Sequence, residues 1–203
     1  MGSAEFRRLT GVSRETTERL EAYAGLLEKW QRRINLVGAR TLGDPWRRHM
    51  LDSAQLRPLL PHRTRDLLDV GSGAGFPGLV LAILGVPDVH LVEADARKCA
   101  FLREAARLTG TRVTIHRARI EELAPWPASV ITARALAPLP DFLDLVSAFM
   151  APTTCCIVFA GERVRAEDAR APKGWRVESF PSQTRPGSRI LRLTGTSWDE
   201  RRR

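Results

Sequence analysis

DLLDVGSGAGFPGLV, residues 66–80, is the stretch that decides how this chain folds. It opens as a short apolar run, Asp66 to Val70, and breaks at three glycines that alternate with other residues, Gly71, Gly73 and Gly75. It then resumes as Phe76 to Leu84, an apolar segment of helical character. A strand that gives way to a helix through a glycine turn is the first half of a βαβ unit. Glycines there permit positive φ angles and let the backbone approach a ligand closely. Asp69 stands just before the turn, where a carboxylate can accept a hydrogen bond from a ligand's amino group.

Downstream, strands and helices alternate. Val89 to Glu93, Arg112 to His116, Val130 to Ala133 and Cys155 to Phe159 read as strands, and Ala96 to Leu108 and Leu139 to Met150 read as helices. Two further strands, Arg176 to Phe180 and Arg189 to Leu193, flank the loop Pro181 to Ser188 as a last hairpin. Together with the strand before the glycines this predicts an α/β fold: a Rossmann-like, mostly parallel seven-stranded sheet with helices on both faces. Upstream, Ser13 is placed to cap a helix in which Leu20, Ala24, Leu27, Trp30 and Ile34 recur at three- or four-residue intervals. Trp46 to Leu60 reads as a second helix, and Pro58, Pro61 and the polar His62 to Arg65 form a linker. The expected division is an N-terminal helical extension, residues 1–64, and an α/β domain, residues 65–203.

Ligands bind such sheets at the carboxyl ends of the strands. Glu93 ends the second strand, where its carboxylate can accept from both hydroxyls of a ribose, with Ala94 beside it and Asp95 suited to capping the next helix. Ile120 and Glu121 follow the third strand, where an adenine ring would lie, and Arg134 follows the fourth. Two cofactors compete for this pattern. Gly73 to Gly78 also spells the dinucleotide fingerprint GxGxxG, with Glu93 twenty residues after Gly73. Against a dinucleotide, the glycine that directly follows the strand is Gly71, and Pro77 removes an N–H that a pyrophosphate would use. A methyl donor is favoured over NAD.

The chain carries 32 lysines and arginines against 23 acidic residues, a formal net charge of +9. Lys29, Lys98 and Lys173 are its only lysines, so nearly all the cations are arginines, suited to bidentate phosphate contacts. That balance favours a polyanionic partner such as nucleic acid. Cys99, Cys155 and Cys156 show no CxxC spacing, and the four histidines show no HExxH spacing, so no metal is expected. No apolar run reaches the roughly 18 residues of a membrane span, and the start lacks the roughly 7–15 residue apolar stretch of a secretory signal. A cytoplasmic protein with no membrane association is expected.

With these residues in place the chain resembles the bacterial small-subunit ribosomal RNA guanine-N7 methyltransferases, also called glucose-inhibited division protein B. The resemblance rests on Lys29-Trp30 with Ile34-Asn35-Leu36, on Arg48-His49-Met50-Leu51-Asp52-Ser53, and on Leu68 to Gly78. It rests also on Arg119-Ile120-Glu121-Glu122 and Thr132-Ala133-Arg134-Ala135-Leu136. It implies a class I methyltransferase fold, S-adenosyl-L-methionine as donor, and a guanine in the decoding-region loop of 16S ribosomal RNA, naked or in the 30S subunit, as acceptor. It implies donor contacts from Gly71, Phe76, Ile120, Glu121 and Arg134, with Glu93 on the ribose. The chain departs from the family at Ala160-Gly161, where Lys-Gly is common, with Arg163 and Arg165 nearby as substitute cations. His49, Asp52 and Ser53 have two readings: packing between the N-terminal section and the sheet, or an RNA-facing wall.

Guanine N7 has an in-plane lone pair and no proton, so no general base is expected; Arg134 would position donor or RNA. Arg134→Ala is expected to slow methyl transfer while leaving the melting temperature nearly unchanged. A monomer is expected. Rival readings are a methyltransferase acting on a small molecule or protein, and a noncatalytic RNA-binding module.

Overall fold

Every residue of β1 (Leu67–Val70) is buried, because this strand runs through the middle of a sheet covered on both faces. The computed structural model describes residues 1–38, 41–134, 138–161 and 174–195. Parallel to β1 lie β2 (Val89–Val92) on one side and β4 (Val130–Ala133) on the other. Outside them run β3 (Thr114–His116) and β5 (Cys155–Ala160), also parallel. The hairpin of β6 (Trp175–Pro181) and β7 (Arg189–Gly195) completes the sheet, with β7 inserted antiparallel beside β5. The order is β3-β2-β1-β4-β5-β7-β6, the mostly parallel seven-stranded sheet expected.

The strands alternate their apolar side chains between two core clusters. Leu67, Leu91, Val130 and Ile157 face the helices α1 (Ser3–Thr10), α2 (Arg14–Gln31), α4 (Gly78–Ile83) and α5 (Ala96–Leu108). Leu68, Val70, Ile131 and Cys156 face α6 (Leu139–Val146). Leu20, Tyr23 and Leu27 of α2 pack into the same cluster as Leu79, Phe101 and Leu102, so the N-terminal section shares its core with the sheet domain. Ser13 caps α2 as its sequence suggests, its hydroxyl accepting from the Thr16 N–H at 3.0 Å.

Two helices differ from the sequence reading. The helix expected from Phe76 starts at Gly78, since Pro77 disfavours helical geometry for the residue before it. The helix expected over Trp46 to Leu60 breaks into a π-helical turn, Trp46–Leu51, a short α3 (Asp52–Ala54) and a 3-10 turn, Arg57–Leu59, around Pro58. The widened first turn is where His49 is carried against the end of β4, as described below. Among the described residues no helix is long and apolar enough to cross a membrane.

Candidate functional site

Parallel register brings the ends of four strands to one edge. Val70 pairs with Val92 and Ala133, and Val92 with His116, so Gly71, Glu93 and Arg134 follow neighbouring strand ends. Gly71 and Gly73 take φ angles of 67° and 58°, the left-handed region that their lack of a Cβ makes accessible. The Glu93 carboxylate accepts from the Gly73 N–H at 2.9 Å and from the Asp95 N–H at 2.8 Å. Two of its four acceptor positions are thereby used to fix the carboxylate beside the glycine loop, and two remain. Asp95 caps α5, accepting from the N–H groups of Arg97 and Lys98. A cleft of about 490 Å³ opens against Gly71, Gly73, Phe76 and Arg134, within the roughly 300–1,000 Å³ of small-molecule sites.

The rest of the glycine motif serves the fold. Asp69 is fully buried: it accepts from the Thr132 hydroxyl at 2.8 Å and from the Gly78 N–H at 3.1 Å, and burial pushes its carboxyl up to about 6. Its expected contact with a ligand's amino group is therefore corrected: Asp69 braces the loop from behind and does not line the cleft. A Cβ on Gly78 would fall 2.5 Å from Leu91 Cδ2, and one on Gly75 would fall 2.8 Å from Tyr23 Oη and Leu79 Cβ. Gly75, read from the sequence as a ligand contact, thus makes room for a side chain of the protein. The same geometry weakens the dinucleotide reading, because the N–H groups of Gly73 and Gly78 point to Glu93 and Asp69 and are not offered to a pyrophosphate.

Sequence reasoning missed Tyr23, the single tyrosine of the chain. It is fully buried, its hydroxyl donates to the Ala74 carbonyl within the glycine loop, and its ring stacks on Phe76 at 5.4 Å. Burial raises its pKa well above the ordinary value, so it remains a neutral donor. Its uniqueness was the only signal in the sequence, and it did not point to residue 74.

Arg134 sits at the centre of a second cluster. Its guanidinium lies over the Phe76 ring, 5.0 Å from the centroid, 3.1 Å from His49 Nδ1 and 3.6 Å from the Asp52 carboxylate. Only 22% of its side chain is exposed. His49 stacks on the Phe76 ring itself, with centroids 4.7 Å apart at 23°. Because Nδ1 faces a guanidinium that only donates, Nε2 carries the ring proton and donates to the Thr41 hydroxyl at 2.8 Å. Burial, then Arg134 and Arg48, push the His49 pKa down to about 3. Both nitrogens are engaged, so His49 is not poised to remove a proton. Asp52 also accepts from Gln55 at 2.9 Å and from the Thr184 hydroxyl, and burial raises its pKa.

These contacts revise two expectations. Arg134 is not a detachable site residue, because its loss would leave Asp52 buried beside fewer partners. The RNA-facing wall is corrected for Ser53, which is 0% exposed, with its hydroxyl lacking a partner among the described residues. His49 and Asp52, each 4% exposed, line the cleft floor but present little surface to a polymer. Ile120 is buried behind the third strand end, while Ala94 and Glu121 are exposed at the same edge. Arg163 lies outside the described residues. Arg48 and Arg185 join Arg134 around the cleft, and among the described residues Asp52 is the only acid lining it.

Residues 16–190 match the family described as rRNA small subunit methyltransferase G. The chain is 59% identical over 184 residues to the ribosomal RNA small subunit methyltransferase G of Rhodospirillum rubrum, an alignment covering 90% of this chain and 92% of that protein. It is 53% identical over 199 residues to the corresponding protein of Paramagnetospirillum magneticum, covering 97% of each. Among solved structures, a SAM-dependent methyltransferase from Aquifex aeolicus superposes with a TM-score of 0.55 at 16% identity, covering 76% of this chain and 95% of that one, which is a likeness of fold.

Proposed function

The chain belongs to the rRNA small subunit methyltransferase G family, and from that premise we propose that it transfers a methyl group from S-adenosyl-L-methionine to N7 of a guanine in the decoding-region loop of 16S ribosomal RNA, as free RNA or within the 30S subunit. The observation that carries the reading is the convergence of Gly71, Glu93 and Arg134 on one sheet edge, where Gly71 and Arg134 line a cleft of about 490 Å³ and Glu93 stands behind its glycine loop, bonded to the Gly73 N–H.

The residues present fit the donor. The open backbone at Gly71 and Gly73 can lie against its chain, the fixed Glu93 carboxylate has acceptor positions left for ribose hydroxyls, and the Ile120–Glu121 edge would border the adenine. When bound, the donor supplies an electrophilic methyl on a sulfonium. The chain's own contribution is placement: methyl transfer is an in-line displacement whose rate depends on holding nucleophile and carbon close and aligned. Phe76, His49 and Arg134 form a rigid stack at the cleft wall, and the guanidinium can hold the donor carboxylate or an RNA phosphate by a forked contact. The engagement of both His49 nitrogens agrees with an acceptor atom that carries no proton.

The test is methyl transfer from labelled S-adenosyl-L-methionine to 16S RNA, 30S particles, bulk protein and small-molecule extract in parallel. Label in the ribosomal RNA is expected; label only in protein or small molecules would overturn the acceptor.

A further inference from the structure

The C-terminal end of α2 and the start of α5 enclose two adjoining hollows of about 690 and 260 Å³ that share Arg32, Arg33, Ile34 and Arg97 in their walls. Lys29 borders one and Lys98 the other. The nearby acids are already engaged. Glu104 accepts from Trp30 Nε1 at 3.1 Å, and Asp95 accepts from the N–H groups of Arg97 and Lys98 at 2.7 and 3.1 Å. Arg97 makes only an exposed 3.6 Å pair with Asp95, and Lys29, Arg32 and Arg33 form no ion pair among the described residues. The floor is apolar: Leu26, Ile34 and Trp30, the last held edge-on against Phe101 at 5.7 Å. The groove thus has a cationic rim and an apolar base.

It also adjoins the donor cleft. The Gln31 side chain accepts from the N–H groups of Leu36 and Val37 and donates to the Val37 carbonyl, each at 2.9 Å. This ties the groove wall to Leu36, Val37 and Gly38, which line the cleft. On the other side, Arg97 and Lys98 follow Glu93 by a few residues. A polymer whose reacting base enters the cleft must run its neighbouring nucleotides over adjoining surface.

We propose that this groove binds the backbone of a single-stranded RNA segment flanking the acceptor guanine; the proposal rests on the RNA reading above. Arginine forks match phosphate oxygens, and an apolar floor can receive an unstacked base, the combination that single-stranded nucleic acid sites use. An acidic protein would use the cations but would leave the apolar base and its continuity with the cleft unexplained.

The experiment compares wild type with the triple variant R32Q/R33Q/R97Q on a naked 16S RNA fragment and on 30S particles. Melting temperature and donor affinity should match, since the three side chains are exposed. On naked RNA the variant should show a KM raised at least about tenfold, with kcat at saturating RNA nearly retained. The slope of log affinity against log salt should fall by about 2, as three lost phosphate contacts at roughly 0.7 each require. Unchanged KM and slope on naked RNA would overturn the proposal while wild-type methylation upholds the RNA reading. A loss confined to 30S particles would overturn it in favour of a ribosomal protein as the partner. Wild-type protein that neither binds nor methylates RNA would overturn both.

Discussion

The Arg134 guanidinium stands 3.6 Å from the carboxylate of Asp52, joining the end of β4 to the N-terminal helical section. Thr184, in the loop between β6 and β7, donates to the other oxygen of the same carboxylate. Three segments far apart in sequence therefore meet at the cleft through one buried acid.

Arg134→Ala is expected to lower kcat/KM for methyl transfer at least tenfold, a loss of roughly 1.4 kcal/mol or more. It should also destabilise the free protein by roughly 1–3 kcal/mol, because Asp52 and His49 lose a buried partner. Arg134→Lys should recover little, since one ammonium cannot reach both and lie flat on Phe76. Steady-state kinetics with thermal melts check both effects; a wild-type melting temperature would show that the pair contributes nothing to folding.

Glu93→Ala is expected to weaken binding of S-adenosyl-L-methionine and its demethylated product by about tenfold or more, as hydrogen bonds to a charged group contribute roughly 1.5–3 kcal/mol. It also frees the N–H groups of Gly73 and Asp95 that the carboxylate now holds. Calorimetry with both ligands is the check, and undiminished affinity would remove Glu93 from the site.

Tyr23→Phe keeps the ring that stacks on Phe76 and lies tilted against Phe101 but deletes the hydroxyl that anchors the Ala74 carbonyl. The expected outcome is a stability loss of about 0.5–1.5 kcal/mol and a several-fold weaker donor affinity, with kcat at saturating donor little altered. Denaturant melts and donor titration measure these; donor affinity equal to wild type would make Tyr23 a core residue without influence on the loop.

The succession of strands and helices, the glycine turn and the placement of Glu93 and Arg134 at strand ends were legible in the sequence because they follow from local periodicity and from the rule that strand ends share an edge. The long-range partners were not. Nothing in the local pattern around Asp52 indicates Thr184, 132 residues away, nor that Gly75 makes room for Tyr23. Asp69 illustrates the same limit: its position before the glycines suggests a ligand contact, while its pairing with Thr132 across adjacent strands becomes visible only once the register is known. The broken helix after Trp46 was hidden because its apolar residues keep helical spacing through the π turn.

His49 gives the fold a dependence on pH. Its pKa falls from 6.5 to about 3 on folding, so the unfolded chain takes up a proton in that interval that the folded chain excludes. The stability it contributes is complete above pH 6.5 and is lost as pH falls towards 3, by up to about 1.4 kcal/mol per pH unit. Asp69 acts oppositely: raised from 3.8 to about 6, it contributes stability that is present below 3.8 and lost as pH rises through 6. Comparing wild type with His49→Gln cancels the Asp69 effect. Between pH 6.5 and 4 the wild type should lose melting temperature faster than the variant; parallel curves would contradict a buried neutral His49.

Methylation of guanine N7 in 16S ribosomal RNA by this chain can be read out by chemical cleavage at 7-methylguanine in 16S RNA from bacteria lacking the gene, with and without expression of this chain. One cleavage site within the decoding-region loop is expected, appearing only on expression and absent with Glu93→Ala. A 16S RNA with no expression-dependent 7-methylguanine, from cells in which the protein is folded and abundant, would contradict it.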